Sequence, residues 1–198
     1  MARKTNGKLW AEFVRNGGNA SKSSSAPQRI DRRPADGVIL GVDPSLRGTG
    51  IAVLETKGKV ATLLHSEVFR FPASYKTEGC IGEISRRIDR VLQDFPVKIA
   101  AIEEAIYVQN YRTALTLGAA RGSAIAAMVL RGVEINEYPP LRIKQAVVGY
   151  GRASKEQLRS TLIQMVAGVT EKISLDESDA VATAMCHWLT SQRKLTVS

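Results

Sequence analysis

Asp43, Glu103, Asp176 and Asp179 are the residues of this chain whose types and surroundings could do chemistry. Asp43 closes the apolar run 38–42 and is followed by Pro44, and Glu103 closes the apolar run 99–102. Asp176 and Asp179 stand one helical turn apart, at the head of a helical pattern that continues through Ala180, Val181, Ala184 and Trp188. Carboxylates delivered from two strand ends and one helix face make an oxygen-only donor set, which suits hard divalent cations. Two such ions about 4 Å apart activate a water and stabilise the leaving oxygen in phosphodiester hydrolysis. In that scheme Asp43 is the natural bridging ligand, Glu103 and Asp179 flank it, and Asp176 binds metal or serves as a base beside it. Each position also has a plain reading. An Asp before Pro is a common turn former, Glu103 could be the first exposed residue after a buried strand, and acidic residues in a first helical turn cap free N–H groups. Capping needs only one of Asp176 and Asp179, however, and two like charges on one helix face repel unless a cation lies between them.

The rest of the composition frames that acidic group. The chain has 198 residues, with 28 Lys or Arg against 19 Asp or Glu and a net charge of +9. That length supports one well-buried core. The charge favours phosphate backbones, acidic membranes or acidic partners. A concentrated acidic site in a basic chain points to phosphodiester chemistry on nucleic acid. Cys80 and Cys186 are far apart and lack metal-site spacing, so both are expected to be reduced, buried thiols. No apolar run is read as approaching the roughly 20 residues that span a bilayer, and the N-terminus lacks the apolar stretch of a secretion signal. A soluble, intracellular protein with no membrane partner is expected. His65 falls in a strand and His187 on the last helix, so no Ser-His-Asp arrangement competes with the carboxylates.

The elements that must position the carboxylates follow from periodicity. Residues 1–36 read as a basic, disordered arm, with Gly17, Gly18, a serine run at 21–25 and eight Lys or Arg against three acids. Leu9, Trp10, Phe13 and Val14 could form one side of a short amphipathic helix there. The arm reads as a nonspecific DNA contact, an organelle presequence or an inert extension with a docking helix. From Val38 on, three apolar runs separated by short turns predict an antiparallel meander. Ile81, Ile84, Ile88, Val91, Leu92 and Phe95 then repeat at helical spacing up to Pro96, a fourth strand covers 99–102, a helix 112–130, and a fifth strand 133–138. The remainder reads as three helical segments. The order is that of an α/β protein with an RNase H-like fold: a five-stranded mixed sheet flanked by helices on both faces. In that topology the first and fourth strands are neighbours, which brings Asp43 beside Glu103.

Residues 38–187 resemble the RuvC family of Holliday-junction resolvases. Gly41-Val42-Asp43-Pro44 is similar to the family's first motif, Ala101-Ile102-Glu103-Glu104 to its second, and the stretch from Ala114 to Gly122 to its central helix. The stretch from Ile143 to Gly151, with Ala153 and Lys155, is similar to its third block, and Asp176 to Ala180 with His187 to its last. The resemblance implies a nuclease domain over 37–192, between the arm and a short tail at 193–198. It also implies a homodimeric endodeoxyribonuclease that nicks two opposed strands of a four-way junction and leaves 5′-phosphate ends. Two Mg²⁺ ions per site, replaceable by Mn²⁺, would be held by Asp43, Glu103, Asp176 and Asp179. Lys144 and Lys155 match family lysines near the scissile phosphate, and Arg112 and Arg152 are further expected DNA contacts. Ile106 stands where relatives carry a wedging aromatic, with Tyr107 beside it, and Ser45 replaces a glycine. Gly118, Gly122 and Ala126 form a small-residue stripe that fits a dimer interface or internal packing. A branch-migration helicase is an expected partner, and a bacterial nucleoid or phage-infected cell the expected setting, with an organellar matrix as the alternative. The competing readings are a nuclease for forks, flaps or RNA, and a non-catalytic junction-binding protein.

Overall fold

The computed structural model describes residues 36–105 and 110–191. Every described residue lies within the unit Arg32–Ser198. The expectations placed on residues 1–35, on Ile106 and Tyr107, and on 193–198 lie outside the described residues.

The described chain alternates strands and helices in the order β1 (Gly37–Asp43), β2 (Gly48–Lys57), β3 (Val60–Arg70), α1 (Thr77–Asp94), β4 (Ile99–Glu103), α2 (Tyr111–Leu130), β5 (Glu134–Tyr138), α3 (Pro140–Val148), α4 (Lys155–Met165), β6 (Val166–Ala167) and α5 (Leu175–Ser191). The sheet order is β5-β4-β1-β2-β3-β6. β1, β2 and β3 form the antiparallel meander, while β4 joins β1 and β5 joins β4 in parallel. The sheet therefore has six strands rather than five. The extra strand, β6, is two residues long and pairs in parallel with Ala61 and Thr62 of β3, too short to carry a periodic signal of its own.

Strand alternation sorts the core into two layers. Leu40, Val42, Ile51, Val53, Ala100 and Ile102 face α1 and α2, whereas Ile39, Ala52 and Leu54 face α3, α4 and α5. By the same alternation Asp43 and Glu103 emerge on the α5 side, two residues beyond Gly41 and Ala101. α5 is buried almost all round, from Ser178 through Trp188, and its small residues let it lie hard against the sheet. A Cβ added at Gly41 would collide with the Ala180 carbonyl oxygen and come within 2.9 Å of the Ala184 nitrogen, and one at Gly50 would lie 2.7 Å from the Asp176 carbonyl oxygen. These two glycines set the distance between the strand carrying Asp43 and the helix carrying Asp176 and Asp179.

α2 corrects one reading of the sequence. Over an 18-residue stretch its mean hydropathy is 1.4, so by length and composition alone it is long and apolar enough to cross a bilayer. One face nevertheless belongs to the core: Ala120, Ser123, Ala124, Ala127 and Met128 are buried, and the Ser123 hydroxyl donates to the Ile81 carbonyl at 2.6 Å. The opposite face, with Tyr111, Leu115, Val129 and Leu130, is exposed.

Candidate active site

β1 and β4 run in parallel with Val42 paired to Ile102, so the next residue of each strand is Asp43 and Glu103. Pro44 ends β1 because it has no N–H to continue the ladder. The turn beyond is closed by Thr49, whose hydroxyl donates to the Ser45 carbonyl at 2.5 Å. The third carboxylate arrives from the first turn of α5. Ser174 and Glu177 cap that helix: the Ser174 hydroxyl accepts from Glu177 N at 3.2 Å, and the Glu177 carboxylate accepts from Ser174 N at 3.0 Å. This reciprocal pair is a capping box. It removes the capping role from Asp176 and Asp179 and leaves both free for other work.

Asp43, Glu103 and Asp179 line a single cavity of about 280 Å³ with Lys144 and Lys155. Pro140, Ile143 and Leu158 supply its apolar wall. The Lys155 ammonium donates to Asp179 Oδ2 at 2.5 Å, and Lys144 Nζ donates to the Ala153 carbonyl at 2.8 Å. Both lysines thus line the cavity with the carboxylates, Lys155 with half of its side chain still open to solvent. Asp176 takes a different position. Its Oδ2 is 2.9 Å from Arg70 Nη2 at the end of β3, and it does not line the cavity. Arg112 and Arg152 are exposed and also lie outside the cavity lining; Arg112 packs over the Tyr111 ring. His187 is buried with Nδ1 2.9 Å from the Tyr138 hydroxyl, and His65 stacks on Phe95.

Sequence reasoning missed two arginines. Nothing local marks Arg70, which reaches Asp176 across 106 positions of sequence. Arg121 had a readable signal, a charge on the face of α2 that also carries Leu117, Ala124 and Met128, and such charges are rarely buried without a task.

The electrostatics are those of a crowded acidic pocket. Burial pushes the Asp43 carboxyl up to about 6, aided by Asp179 and Asp176 and opposed by Lys155. Burial pushes Glu103 up to about 7, aided by Asp43 and Asp179. The Asp179 hydrogen bond raises the Lys155 ammonium above its ordinary value. Oxygen donors that repel one another in a desolvated cavity fit a divalent cation, which would remove both penalties. Among the described residues, no three acidic, His or Cys side chains are already gathered to hold an ion. The ammonium on Asp179 and the guanidinium on Asp176 each occupy an oxygen that a cation would need.

A stability prediction follows. Both carboxyls bind their protons more tightly in the folded chain than at their ordinary values of 3.8 and 4.5. Ionising them therefore costs stability, with the cost absent in acid and growing as pH rises through 6 and 7. At about pH 8 without metal, Glu103→Gln should melt higher than the parent by a few degrees, the gap closing towards about pH 5. A variant that melts lower at about pH 8 would contradict this electrostatic account.

Similarity to known proteins agrees with the geometry. The family model described as crossover junction endodeoxyribonuclease RuvC matches residues 39–187. The chain is 38% identical over 158 residues to the crossover junction endodeoxyribonuclease RuvC of Trichlorobacter lovleyi, covering 79% of this chain and 88% of that one. It is 35% identical over 161 residues to that of Solidesulfovibrio magneticus, covering 81% and 94%. Among solved structures it is similar to Thermus thermophilus RuvC in complex with a Holliday junction substrate, at TM-score 0.73 and 30% identity over 78% of this chain and 94% of that one. The yeast mitochondrial Holliday junction resolvase Ydc2 shares the fold at TM-score 0.57 and 11% identity, over 97% of this chain and 88% of that one. A match over most of the domain, with carboxylates meeting where its strands end, shows that the chain belongs to the RuvC family of crossover junction endodeoxyribonucleases.

Proposed function

We propose that this chain resolves four-way DNA junctions as a homodimer, hydrolysing one phosphodiester in each of two opposed strands and leaving 5′-phosphate ends. The observation that carries the reading is one cavity shared by Asp43, Glu103, Asp179, Lys144 and Lys155 at the strand ends of a RuvC-family domain. The family is metal-dependent, and Mg²⁺ is our assignment, with two ions per site and Mn²⁺ as a substitute. Asp43, Glu103 and Asp179 would hold them, with Asp176 joining once Arg70 releases it. When bound, the ions supply acidification of the attacking water and compensation of charge on the leaving 3′-oxygen. The lysines act on the DNA itself. Lys144 and Lys155 place two ammonium groups where a phosphate entering the cavity meets them, and transfer of Lys155 from Asp179 to that phosphate frees a carboxylate oxygen as substrate arrives. A non-catalytic junction binder has no use for buried carboxylates that destabilise its own fold.

The test compares Mg²⁺-dependent cleavage of a four-way junction, a fork, a flap and linear duplex. Paired nicks confined to the junction are expected; preferential cutting of a fork or flap, or no cutting at all, would overturn the assignment.

The exposed face of α2 supports the homodimer. Among the described residues, Cβ atoms built at Gly118 and Gly122 meet nothing within 4 Å, so no described neighbour requires a glycine there. Beside them Leu115 is 67% exposed and Leu130 86%, apolar area that a second copy would cover. Leu115→Arg should give a folded monomer by analytical ultracentrifugation and circular dichroism, with coordinated paired nicking lost. A dimer as tight as the parent would place the interface elsewhere.

A further inference from the structure

Arg121 brings a guanidinium to the inner side of α2, where its side chain is only 12% exposed. A permanently charged group at that depth needs strong partners. It has two. Nη1 donates to the main-chain carbonyl of Glu103 at 2.5 Å, and Nη2 lies 2.6 Å from Glu137 Oε2. Those partners sit on adjacent parallel strands, since Glu103 is paired with Tyr138 and Ile102 with Glu137. The same junction is closed by Glu104, whose N–H donates to the Tyr138 carbonyl at 2.9 Å. Arg121 thereby ties the ends of β4 and β5 to α2 at the level of the carboxylates. It also borders a small cavity of about 50 Å³ that shares Asp43 and Glu103 with the larger one.

We infer that Arg121 is a positioning residue, which fixes the main chain at the end of β4 and so holds the Glu103 carboxylate opposite Asp43. Two features make this more than a structural ion pair. The hydrogen bond goes to the peptide of the acidic residue itself, so its loss moves Glu103 before anything else. The strand also ends there: Glu103 is the last residue of β4, and beyond it the Glu104 N–H still donates to the Tyr138 carbonyl, so the guanidinium shares with that one bond the work of fixing the strand end. The guanidinium holds two acceptors in one plane, a geometry that an ammonium reproduces only in part. The inference rests on Glu103 being a metal ligand.

The test uses the full chain without DNA. Mn²⁺ binding is titrated for the parent, Arg121→Gln, Arg121→Lys and Arg121→Met, and junction kinetics are then measured separately. Arg121→Gln should bind Mn²⁺ about 10- to 100-fold more weakly, the size of effect seen when a group that orients a ligand is lost. kcat should fall by a similar factor, with KM for the junction nearly unchanged. Arg121→Lys should recover part of the Mn²⁺ affinity and Arg121→Met none. Parental Mn²⁺ affinity in Arg121→Gln with only a lower melting temperature would overturn the inference, as would equal impairment of the Lys and Met variants. Should Arg121→Gln fail to fold, Glu137→Gln loosens the same tie from its half-exposed end, and unchanged Mn²⁺ affinity there would overturn the inference too. A parent that binds Mn²⁺ but cuts no junction would defeat the proposed function while leaving the Arg121 titrations decisive.

Discussion

Asp43→Asn should lower junction cleavage by at least about 10³-fold while leaving junction binding within a few-fold of the parent. The size follows from the part proposed for Asp43: loss of a carboxylate that would hold the metal forfeits several kcal/mol of transition-state charge stabilisation, and each 1.36 kcal/mol is tenfold in rate. The specificity of the loss follows from position. Asp43 lies at the end of β1, half-buried in the cavity, and an amide of the same shape leaves its strand pairing to Gly50 intact. The variant also loses a group that burial and Asp179 push up to about 6. Its metal-free form should therefore be at least as stable as the parent near neutral pH, the opposite of the usual effect of substituting a buried residue. Gel-shift titration on a four-way junction, beside single-turnover cleavage in Mg²⁺, separates the two effects. Cleavage within tenfold of the parent would remove Asp43 from the chemistry.

Gly41→Val should abolish stable folding, and Gly41→Ala should cost stability and activity together. A methyl group at this position drives into the backbone of α5, at the Ala180 carbonyl and the Ala184 nitrogen. Backbone cannot yield as a flexible side chain does. Overpacking of this kind costs about 1–3 kcal/mol, and more when no side chain can move aside. Relief requires α5 to lift from β1, and α5 carries Asp179 while β1 carries Asp43. Gly41→Ala is therefore expected to lose cleavage beyond what its fraction folded explains. Urea titration followed by kinetics below the unfolding transition measures this. A destabilised variant whose folded fraction cuts at the parental rate would show that α5 does not set the carboxylate spacing.

Much of this was legible from patterns that are local. The five longer strands and the helices between them follow from apolar runs of strand length, 3.6-residue spacing and turn residues, and the pairing of β1 with β4 follows from their order. β6 was not legible, because two residues have no period. The carboxylates were legible as a set, but their separation was not. Asp176 and Asp179 share a helix face in sequence, yet Lys155 takes one into the cavity and Arg70 takes the other to the rim. Those partners come from α4 and β3, and no periodicity announces a contact between distant elements. The capping box at Ser174 and Glu177 was readable, and it shows that the helix is capped without the acidic pair. The packing role of the glycines at 41 and 50 was not legible, because the helix that lies against them comes from far along the chain.

α5 joins two duties that many enzymes keep apart. Its body fills the centre of one of the two core layers and its first turn brings in Asp179, so hardly any residue on it can drift without touching either folding or cutting. Local loosening at the site is denied to this protein as well, since α5 cannot fray inward from its capped end without exposing the centre of the domain. Adaptation to new branched substrates must then come from the rim, where Arg70, Arg152 and the exposed face of α2 can change while the centre stays fixed.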